Sequence, residues 1–272
     1  MTDLNPQAKP MADESMVRNL DAQARAIWPQ ESELFKRYGL TGPIRILDAG
    51  CGTGEITNRL ADMFPKAEIL AVDVIEERIE AASTRYAPLA PRVTFDVQSI
   101  YELKATDDSF DLTVCRHVTH SIPFPDTVYA ELARVTKPGG RLHLIPEDYG
   151  MLHFQKGALD PRDFWHHGPD DFGVKTNTDL LIGRDTYSML VDLGMTDITV
   201  DYVVVDTVRV PRETFAGIIT AWKDGYVEPI AELTRFSADQ ARAYFDQMIA
   251  DIQNPRRYAC WMVPVIAAKV RA

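Results

Sequence analysis

The chain has 272 residues, of which 46% are hydrophobic and 25% charged, and its formal net charge is −11. This length allows one large α/β domain or a core domain with an appended cap. The acidic net charge argues against nucleic acid as a partner. The first twenty residues are polar, which argues against a signal peptide, and the apolar runs are too short for a membrane span. Cys51, Cys115 and Cys260 lack metal-binding spacing, so we expect reduced thiols in a cytoplasmic protein.

Residues 1–40 predict an N-terminal helical cap. Residues 1–13 have the polar composition of a frayed terminus. Apolar residues then recur at helical spacing over 14–28, the pair Trp28–Pro29 indicates a break, and the pattern resumes over 31–38.

Residues 41–149 alternate apolar strand patterns with amphipathic helix patterns. We expect strands at 44–49, 68–74, 92–97, 110–115 and 141–147, and helices at 55–64, 76–86 and 126–136. Nearly continuous apolar strands separated by helices are typical of a parallel sheet that is covered on both faces. The sequence therefore predicts an α/β fold with a doubly wound, mostly parallel sheet.

The pattern changes after residue 150. Residues 150–183 are rich in Pro, Gly, Asp and aromatic residues, and we expect an irregular insertion over the active site. Residues 184–272 should complete the sheet, which then has seven strands, and should add a mainly helical lid at about 211–253 before the final strand.

The stretch LDAGCGTG, residues 47–54, places three glycines at every second position after an acid. Such a loop can approach a dinucleotide phosphate or another adenosine-bearing cofactor, or it can be only a tight turn. The nicotinamide fingerprint GxGxxG requires a glycine at the position of Thr57. Asp73 follows Gly54 by 73 − 54 = 19 residues, at the end of the second strand, where it can accept hydrogen bonds from ribose hydroxyls.

This combination resembles the class I S-adenosylmethionine-dependent methyltransferases, whose first motif is an acid followed by GxGxG. The resemblance covers about residues 44–148 and implies a Rossmann-like fold with an antiparallel last strand and S-adenosylmethionine as cofactor. It implies that the loop surrounds the amino-acid part of the cofactor, that Asp73 binds the ribose and that Val74 packs on the adenine. The cofactor-binding residues that it implies are Asp48, Gly50, Cys51, Gly52, Gly54, Asp73, Val74, Ser99, Ile100, Cys115 and Arg116. Ser99 stands where the family commonly has an acid.

Methyl transfer from a sulfonium is an in-line displacement, so the protein aligns the acceptor, excludes water and, where needed, removes a proton. The candidate bases are His120 and His117, which follow the fourth strand, and Glu147, which ends the predicted fifth strand. All six histidines fall between residues 117 and 167, but no acid completes a recognised metal pattern, so we expect no metal.

The leading hypothesis is methyl transfer to a small-molecule acceptor, with O- or N-methylation of a specialised metabolite. Aromatic residues of the predicted lid suit a flat, apolar metabolite or a cationic amine. The alternatives are a methyltransferase that acts on a macromolecule, a nicotinamide-dependent oxidoreductase and a catalytically silent scaffold. The sequence does not indicate the oligomeric state.

Overall fold

The computed structural model describes residues 4–11 and 13–271, and its centre is one eight-stranded sheet. The strands are β1 (Arg45–Ala49), β2 (Glu68–Asp73), β3 (Val93–Val97), β4 (Phe110–Arg116), β5 (Thr136–Ile145), β6 (Leu152–Phe154), β7 (Thr196–Asp206) and β8 (Ala259–Lys269). Their order is β3-β2-β1-β4-β5-β8-β6, and β7 also pairs with β8. The first five strands pair in parallel, and β8 is antiparallel to β5, β6 and β7. The predicted α/β class and the antiparallel last strand are confirmed, with the short β6 as an additional strand.

The helices lie on both faces of this sheet and over its carboxyl-terminal edge. They are α1 (Ala8–Met11), α2 (Glu14–Arg37), α3 (Glu55–Met63), α4 (Glu76–Arg85), α5 (Pro125–Val135), α6 (Pro161–Thr176), α7 (Thr186–Asp192), α8 (Arg212–Leu233) and α9 (Ala238–Gln253). Successive strand residues point to opposite faces, so Ile46 joins the core under α2 and α3 whereas Leu47 joins the core under α5 and α7. Residues of α2, α6, α8 and α9 form a third core with β6, β7 and β8.

Helix α2 runs without interruption through Pro29, so the predicted break is wrong. Proline removes one helical hydrogen bond and costs about 3 kcal/mol in a helix interior. Contacts with the rest of the fold offset that cost: the Gln30 side chain donates to the Val204 carbonyl (2.9 Å) and accepts from the Val204 amide (3.1 Å). Ile27 and Phe35 on the same helix are buried.

The segment 150–183 is more regular than expected, because it contains β6 and α6. Asp160 caps α6 by accepting from the Arg162 amide (3.2 Å), and Pro161 occupies the first turn, where its missing amide N–H costs nothing. Part of the supposed frayed terminus is also ordered: residues 4–11 include α1 and pack on α8, where Tyr226 donates to Gln7 Oε1 (2.9 Å). Residues 1–3 and 12 of the predicted cap lie outside the described residues. Among the helices of the described chain, none has the length and hydropathy needed to cross a membrane.

Candidate active site

The loop between β1 and α3 requires glycine at three positions for steric reasons. Gly50 and Gly52 have φ angles of +77° and +55°, in the left-handed region that favours glycine. A Cβ atom on Gly50 would overlap the Val118 side chain, and one on Gly52 would lie 3.0 Å from Leu20 Cδ1. Gly54, the residue before α3, has a φ angle of +81°, and a Cβ atom on it would lie 3.0 Å from Tyr86 and 3.1 Å from Phe95; it does not line the cavity described below.

Asp73 ends β2 and holds this loop. Its Oδ2 accepts from the Gly52 amide (2.9 Å), and its Oδ1 accepts from the Ile75 amide (3.0 Å). An ionised carboxylate can accept about four hydrogen bonds, so two sites remain for a ligand. The Asp73 carboxylate therefore holds the glycine loop and can also accept hydrogen bonds from a ligand.

A cavity opens at the carboxyl ends of β1 to β4. Seven residues that the sequence predicted to bind cofactor line it: Gly50, Gly52, Asp73, Val74, Ser99, Ile100 and Arg116. Sequence reasoning missed other lining residues, namely Leu4, Asn5, Met11, Leu20, Ile75, Arg78, Gln98, Tyr101, Val118, Ser121 and Ile122. We call this space the cofactor cavity.

The other predicted cofactor residues lie elsewhere. Asp48 and Cys51 line a smaller adjoining pocket with Arg116. Thr57 donates to Asp48 Oδ2 (2.6 Å), and burial raises the pKa of Asp48 to about 6. Cys115 lines neither this pocket nor the cofactor cavity: it packs in the core under α5, where burial raises the pKa of its thiol to about 12. The structure therefore places Cys115 in the core and not at the wall of the cofactor cavity, where the sequence predicted it.

Arg116 is held by a buried ion pair with α2, which the sequence did not reveal. Its Nε donates to Glu31 Oε1 (2.7 Å), and His143 Nε2 lies 2.9 Å from the same oxygen. The Tyr38 hydroxyl lies 2.7 Å from His143 Nδ1, so a neutral imidazole that accepts from Tyr38 donates to Glu31. One terminal nitrogen of Arg116 is buried without a protein partner among the described residues. Arg116 also lines the cofactor cavity.

His117 and Glu147 form a buried pair with unusual backbone conformations. Their φ angles are +55° and +72°, which are uncommon for residues with a Cβ and are found where the surrounding structure enforces them, often at functional sites. His117 Nδ1 lies 2.5 Å from Glu147 Oε1, although the carboxylate is outside the direction in which the ring would donate. Glu147 is 1% exposed. The pair can accept a proton from a group beside His117 and stabilise the resulting positive charge.

His120 is less suited to act as the base. Burial lowers the pKa of His120 to about 4, although the nearby Glu147 charge partly opposes this effect. The ring is therefore neutral near pH 7 and too weak a base to hold a proton there. It packs edge-on against Tyr149 at 5.6 Å between ring centroids, as part of the wall.

A second cavity lies under α2, α6 and α8, and we call it the acceptor cavity. Most of its walls are apolar or aromatic, including Phe164, Trp165, Phe172, Trp222 and Phe245. Three residues line both cavities: Met11, Leu20 and His117. His117 therefore stands where the two cavities meet.

The remaining histidines do not gather at this junction. His143 belongs to the Glu31 cluster, His153 is exposed on β6, and the rings of His166 and His167 lie 4.6 Å apart on α6. Within residues 4–11 and 13–271, no group of three or more His, Cys, Asp or Glu side chains is arranged to hold a metal ion.

Residues 41–154 match a family model described as a methyltransferase domain. The chain is 42% identical over 83 residues to a malonyl-[acyl-carrier protein] O-methyltransferase of Bacillus cereus, covering 30% of each protein. It is 33% identical over 109 residues to a ubiquinone biosynthesis O-methyltransferase of Xanthomonas oryzae pv. oryzae, covering 40% of this chain and 44% of the relative. The matched segment thus spans less than half the length of these relatives.

Solved structures share the fold over more of the chain. A [4+2]-cyclase called SpnF covers 100% of this chain and 98% of its own, with a TM-score of 0.61 and 17% identity. A phosphoethanolamine N-methyltransferase 2 of Haemonchus contortus, solved with phosphomonomethylethanolamine and S-adenosylhomocysteine, covers 90% of this chain and 53% of its own, with a TM-score of 0.57 and 21% identity. A fold that hosts both a cyclase and a methyltransferase does not determine the reaction, so function must be argued from the site.

Proposed function

We propose that this chain, which belongs through residues 41–154 to the class I S-adenosylmethionine-dependent methyltransferases, transfers the methyl group to a small molecule held in the acceptor cavity. The observation that carries this proposal is the meeting of the two cavities at His117. A methyl donor in one cavity and an acceptor in the other would have their reacting atoms on either side of this residue.

The residues of the cofactor cavity fit the family's cofactor. Asp73 has unused acceptor sites for a ribose diol, and the bare backbone at Gly50 and Gly52 leaves room for close approach. Val74, half exposed at the cavity wall, would pack on the adenine, and the unpartnered nitrogen of Arg116 would meet the methionine carboxylate. Ser99 and Ile100 lie where the adenine edge would be.

The chemistry follows from these placements. The cofactor supplies an activated methyl group on a sulfonium, so the protein's task is alignment and proton removal. His117 would accept the acceptor's proton at Nε2, and the Glu147 carboxylate beside Nδ1 would stabilise the imidazolium that forms. The buried aromatic walls would exclude water from the reacting atoms.

A small acceptor is preferred to a macromolecule because the acceptor cavity lies beneath α2, α6 and α8. The acidic net charge also argues against a nucleic-acid substrate. Methylation of a specialised metabolite by O- or N-transfer remains part of this proposal. Three free cysteines support a cytoplasmic location.

Calorimetric titration with S-adenosylhomocysteine, methylthioadenosine and NADH would test the cofactor assignment. We expect both sulfur ligands to bind and NADH not to bind. An Arg116→Met variant should bind S-adenosylhomocysteine more weakly but methylthioadenosine equally well, because the latter lacks the amino-acid part. Binding of NADH alone, or of neither sulfur ligand to folded protein, would contradict the proposal.

Turnover is tested by mass spectrometry of a metabolite extract incubated with the protein and methyl-deuterated S-adenosylmethionine. A small product that carries the label supports the proposal. Label found only on protein or RNA would support a methyltransferase that acts on a macromolecule. Bound cofactor with no labelled product would support a catalytically silent scaffold.

A further inference from the structure

The residues that line the acceptor cavity indicate the charge of the acceptor. Of the described residues that line it, none is Asp, Glu, Lys or Arg. Transferring an unpaired ion into such surroundings costs several kcal/mol, because nothing replaces its hydration. A phosphorylated or carboxylated acceptor would need a basic partner there, so the cavity selects against anions.

The aromatic walls do not form a cage for a cation. Tyr149 and Trp165 lie with their planes nearly parallel, 9° apart, and their centroids 5.7 Å apart, so each ring already packs against the other. Trp222 meets Tyr149 edge-on at 82°. A cation is attracted by open ring faces on several sides, whereas this arrangement offers a wall for a flat apolar molecule.

Unpaired polar atoms indicate where the acceptor is polar. Asn19 Oδ1, Gln7 Nε2 and His120 Nδ1 are buried without a partner among the described residues, and all three residues line the acceptor cavity. Gln7 Oε1 already accepts from Tyr226, which leaves the amide N–H of Gln7 to face a ligand. Buried polar atoms in folded proteins are nearly always paired, so Asn19 Oδ1 requires a ligand hydroxyl that donates to it, and Gln7 Nε2 requires a ligand oxygen that accepts.

We propose that the acceptor is an uncharged, flat and largely apolar molecule that presents one hydroxyl to His117 and a second hydroxyl that donates to Asn19 Oδ1 and accepts from Gln7 Nε2. This inference rests on the proposed methyl transfer and specifies its substrate class. The hydroxyl oxygen forms a bond to the methyl carbon while the bond from that carbon to sulfur breaks. The electron pair stays on sulfur, which gives neutral S-adenosylhomocysteine, and the hydroxyl proton moves to His117 Nε2. The product is a methyl ether.

The test uses three probes that share one ring system and one attachment point: naphthol, naphthoate and the naphthylmethylammonium ion. Each is titrated calorimetrically into protein saturated with S-adenosylhomocysteine at neutral pH. We expect naphthol to bind at least about tenfold more tightly than either ion, since tenfold corresponds to about 1.4 kcal/mol and unpaired burial costs more. Equal or tighter binding of an ion, or no binding of any probe, would overturn the inference.

An Asn19→Leu variant supplies the second measurement. Asn19 lines the acceptor cavity but not the cofactor cavity, so its substitution should weaken the binding of a dihydroxynaphthalene, whose second hydroxyl reaches the amides, and leave the affinity for S-adenosylhomocysteine unchanged. An unchanged affinity for the dihydroxynaphthalene would show that Asn19 does not bind the acceptor. Failure of wild-type protein to bind S-adenosylhomocysteine would refute the methyltransferase proposal itself, whereas the reversed preference among probes would refute only the acceptor class.

Discussion

Replacing Glu31 by Gln should strongly destabilise the protein, because Glu31 is the only carboxylate seen to pair with Arg116 in the described structure. Glu31 is completely buried, and its Oε1 accepts from Arg116 Nε (2.7 Å) and from His143 Nε2 (2.9 Å). Burial by itself raises the pKa of Glu31, but the Arg116 charge and the His143 hydrogen bond outweigh it and hold the pKa at about 2. The carboxylate is therefore ionised in the folded protein.

The expected loss is about 3–5 kcal/mol of unfolding free energy, the usual cost of breaking a buried ion pair by removing one partner. Glutamine keeps the shape but leaves the Arg116 guanidinium as an uncompensated buried charge. The pH dependence has a definite sign. Because the folded pKa lies below the unfolded value of about 4.5, the stabilisation is complete above that pH and is lost as pH falls towards 2.

Urea unfolding of wild type, Glu31→Gln, Arg116→Met and the double variant would measure this coupling. The double variant should be less destabilised than the sum of the singles, because it removes both charges. An Asp246→Asn variant breaks the surface ion pair with Lys223 (3.0 Å) and should cost at most about 1 kcal/mol. A loss below about 1 kcal/mol for Glu31→Gln, or strict additivity in the double variant, would refute this reasoning.

Three further outcomes follow from the site. Asp73→Ala should weaken S-adenosylhomocysteine binding by about 1–3 kcal/mol in calorimetry, and an unchanged affinity would exclude the ribose contact. His117→Ala should lower kcat by about 10²–10⁴-fold in the labelled-methyl assay, whereas the matched change at His167, on α6, should not. Because burial raises the pKa of Asp48 to about 6, the folded state loses stability as pH rises from 3.8 to 6. Asp48→Asn should therefore raise Tm at neutral pH but not at pH 4. The same change in Tm at both pH values would contradict the burial argument.

The sheet and the glycine loop were predictable because their causes are local. Strand residues such as Ile46 and Leu47 are apolar on both sides, and the positive φ angles at Gly50 and Gly52 admit few other residues. Helix α6 could also have been predicted, because Asp160 followed by Pro161 is an N-terminal cap signal. The glycines and prolines of the surrounding segment favoured an irregular structure instead.

The missed features depend on contacts between residues far apart in the chain. Glu31 and Arg116 are 85 positions apart, and each has the sequence context of an ordinary charged residue. Helix α2 continues through Pro29 because of packing on β7, which no local pattern encodes. Cys115 and Arg116 are neighbours at the end of one strand, so their side chains lie on opposite faces of the sheet, and only Arg116 lines the cofactor cavity. The sequence did not show which of the two faces the cavity.

Met11 and Leu20 border both cavities, so these two side chains can contact either occupant. Any free energy spent in fixing their rotamers around one ligand need not be spent again for the other. The two affinities should then be linked, with each ligand increasing the other's affinity by the same factor, as thermodynamic reciprocity requires. Such linkage would favour the ternary complex over either binary complex. It would lower the fraction of protein that holds the methyl donor with no acceptor bound.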